Sequence, residues 1–374
     1  MSPNIDENPT HQSKEATKSV PNLKAFVTEL RMRIAGAYDA VPLYYELDDL
    51  RIFMGGLAMS QLHILQGMSG TGKTSIVKAF AKVVGGHCSD IAVQAGWRDK
   101  FDLIGHYNSF EKKYYEKECL QAIYQAQVPN YEDRINIVLL DEMNLSRPEQ
   151  YFAEFLSALE KNDVNDRLIE LREEELSDAP SRLVEGRKIL VPKNVWFMGT
   201  ANNDETTNKF ADKTQDRAHI MELHKVDKKF EITPFDHEVI YSYKSLVKRF
   251  NEATATHRQE VEEFLSQLQS ARCELTKILE KSFDVAWGNR FAEHARRFIP
   301  CVMAAGGTLE LAVDHLLAAR VFRQGKVTGR YDISNNDLAD VERALTGFCT
   351  GRNITPVKCL DLLERDRKRK ERGA

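Results

Sequence analysis

The amino-acid sequence predicts an α/β domain built on a parallel sheet, followed by a mainly helical region. Short apolar runs of strand length alternate with helical patterns in the first part of the chain, and strand signals fade after about Pro234. The predicted strands are "QLHILQ", "IAVQA", "INIVLLDE" and "VWFMGT". Strands that alternate with helices indicate a parallel sheet covered on both faces.

Four segments follow from this pattern. Residues 1–22 form a polar leader that lacks the apolar core of a signal peptide, and we expect it to be disordered. Residues 23–58 carry short N-terminal helices. Residues 59–230 form the α/β nucleotide-binding domain, and residues 231–374 form a helical lid with further C-terminal helices.

Composition describes an ordinary globular protein. Of the 374 residues, 42% are hydrophobic and 29% are charged, and the net charge of -4 gives no global signal for nucleic acid or membrane. No apolar run reaches the roughly 18 to 20 residues of a membrane span. The six cysteines follow no CxxC or Cys/His spacing, so neither a disulfide framework nor a zinc site is expected. A reducing, cytoplasmic location fits best.

A phosphate-binding loop is the most specific motif. The stretch "GMSGTGKT" fits G-x-x-x-x-G-K-[ST] and lies between a predicted strand and a predicted helix. The motif requires this strand–loop–helix context, whereas the alternative, a glycine-rich turn with no bound phosphate, does not. We expect Lys73 to reach the β- and γ-phosphates and Thr74 to bind Mg²⁺. The predicted nucleotide contacts in and beside the loop are Gly67, Ser69, Gly70, Thr71, Gly72, Lys73, Thr74 and Ser75.

Two acids end the strand "IVLLDE". Asp141 is predicted to hold Mg²⁺ through water at the carboxyl edge of the sheet. Glu142 is predicted to orient or deprotonate a water that attacks the γ-phosphate. A second acid directly after the first indicates hydrolysis of a nucleoside triphosphate rather than phosphate transfer to a substrate. The alternative is a pair of acids that caps a helix.

An amide cluster ends the strand "VWFMGT". If this strand lies between the loop strand and the "DE" strand, Asn202 lies beside the γ-phosphate. Its amide can hydrogen-bond both the phosphate and the water, and it carries no charge to repel them. Asn203 and Asp204 are expected to cap the following turn.

Together these motifs resemble those of the AAA+ superfamily, and within it the McrB-like NTPases. The resemblance is strongest in "LLDEMNLSRPEQYFAEFLSALE" and "NVWFMGTANNDETTNKFADKTQDRA", and it covers roughly residues 45–325. It implies a P-loop NTPase fold with a five-stranded parallel sheet flanked by helices and a helical lid domain.

The resemblance also implies roles for three residues. Asn202 matches the first sensor of the γ-phosphate. Arg217 lies where the family places an arginine that reaches the neighbouring subunit's nucleotide; a surface salt bridge is the competing interpretation. Arg290, near a predicted helix start, matches the second sensor, with Arg296 and Arg297 as competitors and a plain lid surface charge as the alternative.

The family further implies a homo-oligomeric, hexameric or otherwise ring-like assembly that works with a separate effector or nuclease subunit in bacterial antiviral defence or DNA restriction. DNA would be contacted directly or through that partner, and no membrane is involved. McrB carries a Met-Asn-Thr-Ala-Asp-Arg run associated with guanine, whereas this chain reads "ANNDETT". We therefore expect ATP with Mg²⁺, and GTP stays open.

Two other functions share these motifs: a MoxR-like protein-remodelling chaperone and a nucleotide-gated assembly switch. Glu142 argues against a switch that barely hydrolyses. The stretch "GWRDKFDLIGHYNSFEKKYY" interleaves aromatic and basic residues, which suits core or interface packing, or contact with DNA or a polypeptide. The stretch "DRLIELREEELSDAPSRLVEGRKILVPKN" predicts a hairpin inserted before the sensor strand.

Overall fold

The computed structural model describes residues 17–38, 41–175, 179–202, 207–226, 229–232 and 239–372. The chain divides into two compact units that interleave along the sequence. The first comprises Met1–Pro21, Thr28–Glu46 and Ser60–Lys248; the second comprises Asn22–Val27, Leu47–Met59 and Arg249–Ala374. The sequence-based boundary at 230/231 differs from this division, which falls after Lys248. Most of the predicted leader lies outside the described residues.

The helices in chain order are α1 Leu23–Ala35, α2 Leu47–Met59, α3 Lys73–Val83, α4 Lys100–Ile104, α5 Glu118–Gln125, α6 Pro148–Tyr151, α7 Ala153–Ala158, α8 Asp212–Gln215, α9 Tyr243–Thr256, α10 Arg258–Leu268, α11 Glu274–Phe283, α12 Asn289–Ala304, α13 Leu309–Arg320, α14 Asn335–Thr350 and α15 Val357–Glu371. The strands are β1 Leu62–Gly67, β2 His87–Ala92, β3 Gly105–Asn108, β4 Lys113–Glu116, β5 Asn136–Asp141, β6 Leu168–Glu170, β7 Leu183–Val184, β8 Lys188–Leu190, β9 Val195–Asn202 and β10 His219–Glu222.

A five-stranded parallel sheet forms the centre of the first unit, in the order β10-β1-β9-β5-β2. Strand β9 lies between the loop strand, β1, and the acidic strand, β5, which is the condition that the predicted role of Asn202 requires. The register pairs Gly67 with Asn202 and Leu140 with Gly199. The carboxyl ends of β1, β9 and β5 therefore meet at one edge, where the loop, the acids and the amide all lie.

Continuous apolar strands and an aromatic cluster explain why this sheet is buried. All residues of β9 before Asn202 are buried. The rings of Phe152 and Phe155 stack with centroids 4.9 Å apart, and both meet the edge of the Phe197 ring at 5.1 and 5.3 Å. Burying an aromatic side chain of this kind contributes about 1.5–3 kcal/mol. The cluster thus anchors α6 and α7 to the middle of β9.

Two antiparallel insertions extend from the first unit. A hairpin of β3 and β4 separates α4 from α5, and the turn residue Phe110 is 97% exposed. The hairpin predicted before the sensor strand is part of a three-stranded sheet, β6-β8-β7. Part of the aromatic and basic stretch packs internally: Trp97 is buried, and the Arg172 guanidinium lies 4.0 Å from the centroid of the Tyr107 ring.

The second unit is helical, and two close contacts define it. A Cβ atom on Gly55 of α2 would lie 2.5 Å from a methyl carbon of Val302 on α12, so glycine permits that approach. The buried Asp314 carboxylate of α13 accepts the backbone N–H groups of Lys358 and Cys359 at 2.7 and 3.0 Å, which caps α15 from a neighbouring helix.

Within the described residues, no helix combines the length and apolarity needed to cross a membrane.

Gly199 offers a test of how β9 packs against the segment that follows β5. An added Cβ would lie 2.3 Å from the Met143 sulfur and 2.9 Å from the Met143 Cβ. We expect Gly199→Ala to lower the free energy of unfolding by about 1–3 kcal/mol through overpacking. A chemical denaturation midpoint measures this, with Gly96→Ala as control because a Cβ there meets nothing within 4 Å. Equal midpoints for the two variants would contradict the packing.

Candidate functional site

The phosphate loop has a backbone that only glycine adopts easily. Gly67 and Gly72 have φ angles of 143° and 86°, in the region that side chains disfavour. A Cβ on Gly67 would lie 2.5 Å from the Leu223 carbonyl oxygen, and one on Gly72 would lie 2.6 Å from the Tyr45 hydroxyl oxygen. That hydroxyl donates to the Gly72 carbonyl at 2.8 Å. The loop is therefore shaped both by its own dihedral angles and by the residues packed around it.

Lys73 reinforces the loop from inside. Its ammonium donates to the carbonyl oxygens of Gly67 and Met68 at 3.1 and 2.7 Å, and the residue is only 7% exposed. Ser69 and Gly70 are exposed at the crest of the loop, directly before α3. A curled loop that leads into a helix N-terminus presents backbone N–H groups to anionic oxygens. The geometry suits the predicted binding of phosphate.

Two threonine hydroxyls converge on the Asp141 carboxylate. Thr74, at the start of α3, donates to Asp141 Oδ1 at 2.8 Å, and Thr200, on β9, donates to the same oxygen at 2.6 Å. The structure thus brings together Thr74 and Asp141, the residues predicted to bind Mg²⁺. Thr200 was missed by the sequence reasoning, although it stands in the quoted run "VWFMGT" two residues before Asn202.

Glu142 lies exposed directly after β5, with φ 54° and ψ 45°. The left-handed conformation costs a non-glycine residue roughly 1–2 kcal/mol. The backbone N–H of Glu142 donates to Thr200 Oγ1 at 2.9 Å. Glu142 precedes a short 3₁₀ helix, Met143–Leu145, but its side chain makes no capping hydrogen bond. The helix-capping alternative thus has no hydrogen bond to support it, and the role of Glu142 as a site acid stays a prediction.

Paired amides tie the end of β5 to the end of β9. Asn144 Nδ2 donates to the Asn202 carbonyl at 3.0 Å, and the Asn208 backbone N–H donates to the Asn144 carbonyl at 3.0 Å. Asn208 Nδ2 donates to the carbonyls of Asn144 and Leu145 at 3.2 and 3.1 Å. The carbonyl of Asn202 is thereby fixed while this residue lies opposite Gly67. We call Asn144 and Asn208 the amide brace; the sequence reasoning assigned neither a role.

Asn203 and Asp204, which were expected to cap the turn after Asn202, lie outside the described residues.

Arg217 lies away from the phosphate loop of its own chain. It stands two residues before His219, which pairs with His63 near the start of β1, whereas the loop begins at the other end of that strand. His63 and Gly67 are four residues apart along β1, which corresponds to roughly 13 Å. The Arg217 guanidinium pairs with the Glu160 carboxylate and donates to the Lys213 carbonyl at 2.9 Å. The salt bridge considered as the competing interpretation is therefore present.

The lid arginines belong to the second unit. Arg290 is the second residue of α12, and its predicted sensor role stays a prediction. Arg296 makes two hydrogen bonds to the Glu262 carboxylate, at 2.6 and 3.0 Å, and these lower the pKa of Glu262. One turn after Arg290, burial lowers the pKa of His294, helped by the positive charges of Arg320, Arg290 and Arg297.

The residues present fit a magnesium nucleotide. The Thr74 hydroxyl and the Asp141 carboxylate supply the hard oxygen atoms that Mg²⁺ prefers, and phosphates and waters complete its shell in sites of this kind. Across the described part of the chain, no group of three or more His, Cys, Asp or Glu residues could hold a metal. The Thr74 hydroxyl and the Asp141 carboxylate beside the loop are the groups that would hold the ion.

The sheet order, the phosphate loop after β1, the acids at the end of β5 and the amide at the end of β9 form an AAA+-type α/β fold, which a helical region follows. Residues 63–218 match the family model described as the AAA domain of the dynein-related subfamily, which implies nucleotide binding. The match covers less than half of the chain, so it describes residues 63–218 and not the whole chain.

One solved structure, that of a "putative ATPase" from Cytophaga hutchinsonii, is similar over 91% of this chain and 96% of that chain, with 14% identity and a TM-score of 0.44. A similarity of this degree carries no argument about function. A search of curated proteins found no match.

The amide brace can be tested by an isosteric change. Asn208→Asp replaces a donor by a carboxylate oxygen facing the carbonyls of Asn144 and Leu145, and we expect a loss of about 1–3 kcal/mol from the unpaired groups. Faster amide hydrogen exchange at Met143–Leu145, with unchanged circular dichroism, is the expected readout. The exposed Asn336 provides the control, as Asn336→Asp. An unchanged rate of amide hydrogen exchange in Asn208→Asp would show that the amide brace does not stabilise this segment.

Proposed function

We propose that this chain hydrolyses ATP, with GTP as the open alternative, in a Mg²⁺-dependent ring oligomer, and that it is the motor subunit of a McrB-like bacterial defence system with a separate effector. The observation that carries hydrolysis is the convergence of Thr74 and Thr200 on Asp141, with Glu142 directly following and held at its backbone. The phosphate loop and the two acids share one sheet edge, which supports this proposal.

Each residue has a distinct task. The loop and Lys73 bind the phosphates, and Thr74 and Asp141 hold the metal, Asp141 through water. Bound Mg²⁺ supplies neutralisation of the phosphate charge that develops during cleavage. The Glu142 carboxylate orients the attacking water and accepts its proton. The Asn202 amide, opposite Gly67, hydrogen-bonds the γ-phosphate without repelling it. In the second unit, Arg290 reports lid closure.

The position of Arg217 supports a ring. Its own phosphate loop begins at the other end of β1, so its action on a nucleotide requires a neighbouring subunit's site. A positive charge supplied in this way stabilises the transition state in related phosphoryl-transfer sites. A hexameric ring with nucleotide at each subunit interface satisfies this requirement, because every subunit then gives one arginine and receives another.

One observation favours a second candidate function. Phe110 is almost fully exposed at the turn of the β3–β4 hairpin, next to the exposed Lys112 and Lys113. An exposed aromatic ring suits a polypeptide client, as a MoxR-like remodelling chaperone would have, while the lysines suit DNA phosphates. Hydrolysis stimulated by DNA would support the defence role, and stimulation by a polypeptide alone would support remodelling.

The proposed reaction is tested by Glu142→Gln. We expect nucleotide to bind but turnover to fall about 10²–10⁴-fold, since the water loses its base, and we expect the ring to persist with trapped nucleotide. Steady-state hydrolysis of ATP and GTP over a range of protein concentration, with light scattering for size, measures both effects. Glu118→Gln, at an exposed acid on α5, is the matched control. Rapid turnover by Glu142→Gln would overturn the assignment.

The role of Arg217 is tested by mixing two inactive variants. The Lys73→Ala variant keeps Arg217 but lacks the lysine that contacts the nucleotide. The Arg217→Ala variant keeps the nucleotide contacts but lacks the arginine. In a randomly mixed ring, about a quarter of the interfaces combine an intact nucleotide site with an intact arginine, so about a quarter of wild-type activity should return. Arg182→Ala, at an exposed arginine, controls for loss of charge. If the mixture stays inactive although both variants fold and assemble, the Glu160 salt bridge is the role of Arg217.

A further inference from the structure

Thr200 connects the two acids of the site through a single hydroxyl. The residue is 3% exposed and belongs to β9, which lies between β1 and β5. Its Oγ1 lies 2.6 Å from Asp141 Oδ1 and 2.9 Å from the Glu142 backbone nitrogen. One atom on the sensor strand thus contacts both the residue that holds the metal and the residue that activates water.

The direction of both hydrogen bonds follows from chemistry. A backbone N–H only donates, so the Thr200 oxygen accepts from Glu142. A hydroxyl carries one proton, and Thr200 donates that proton to Asp141 Oδ1. Serine has the same donor and acceptor pattern, whereas valine has the same shape with neither group. The chemistry therefore separates the role of the hydroxyl from the role of side-chain volume.

The accepted hydrogen bond fixes an unfavourable conformation. Glu142 has a φ of 54°, which a non-glycine residue keeps only when its surroundings hold it. The bond from its N–H to Thr200 holds the peptide plane between Asp141 and Glu142, and this plane sets the direction in which the Glu142 side chain leaves the chain. Release of the N–H would let the acid turn away while leaving Asp141 and the loop in place.

We propose that Thr200 is a positioning residue for hydrolysis: by accepting the Glu142 N–H, its hydroxyl orients the Glu142 backbone so that the carboxylate faces the attacking water. The proposal rests on the proposed function. It assigns Thr200 no contact with the nucleotide or the water, so its effect falls on the rate of the chemical step rather than on nucleotide affinity.

The test compares Thr200→Val with Thr200→Ser in the full-length protein. Thr200→Val should lower kcat for MgATP about 10–100-fold, with the Kd for MgATP changed less than about 3-fold, because the acid is misplaced while the loop is intact. Thr200→Ser should recover most of the loss. Thr200→Cys, which keeps the volume with a weaker hydrogen bond, should fall between them. Wild-type kcat in a folded Thr200→Val would overturn the proposal.

A double-mutant cycle excludes a merely structural role. In the Glu142→Gln background, Thr200→Val should reduce the residual rate by less than about 3-fold, because the positioned acid is already gone. Equal losses in both backgrounds would show that Thr200 acts independently of Glu142. The two proposals fail differently: rapid turnover by Glu142→Gln removes the proposed function, whereas a normal kcat in Thr200→Val, with Glu142→Gln inactive, removes only this inference.

Discussion

The hydrogen bonds accepted by the Asp141 carboxylate are the interaction on which the site depends. Thr74 brings the start of α3 to this oxygen, and Thr200 brings β9 to it, so one acceptor joins three elements that are distant in sequence. A charged acceptor makes stronger hydrogen bonds than a neutral one, about 1.5–3 kcal/mol each. This carboxylate is also the one proposed to hold Mg²⁺ through water.

The left-handed backbone of Glu142 at this sheet edge is held by hydrogen bonds and close packing contacts rather than by burial in the apolar core. Glu142 adopts a left-handed conformation, and its N–H is held by Thr200. The following residues are secured by Met143 against Gly199 and by the amide brace of Asn144 and Asn208. These contacts hold the backbone that carries the exposed Glu142 carboxylate. A carboxylate that orients a water needs a fixed position of this kind.

Arg217 illustrates how assembly can be coupled to catalysis. In the single subunit its guanidinium pairs with Glu160, and both side chains are partly accessible, at 16% and 31%. Ion pairs that are open to solvent contribute only about 0–1 kcal/mol. The salt bridge to Glu160 is therefore compatible with the role proposed for Arg217 in a ring.

The sequence by itself determined the α/β class, the phosphate loop and the acids after β5, because glycine spacing and short apolar runs reflect local backbone requirements. The place of β9 between β1 and β5, on which the predicted role of Asn202 depends, came from the tertiary structure. Strand β10, with the short pattern "HIME", and the roles of Thr200, Asn144 and Asn208 emerged only from the tertiary structure. Their partners are about 60 residues away, and a hydroxyl or amide has the same appearance in a sequence whether it faces solvent or a carboxylate. The tertiary structure determines which hydroxyl and amide groups form hydrogen bonds with one another.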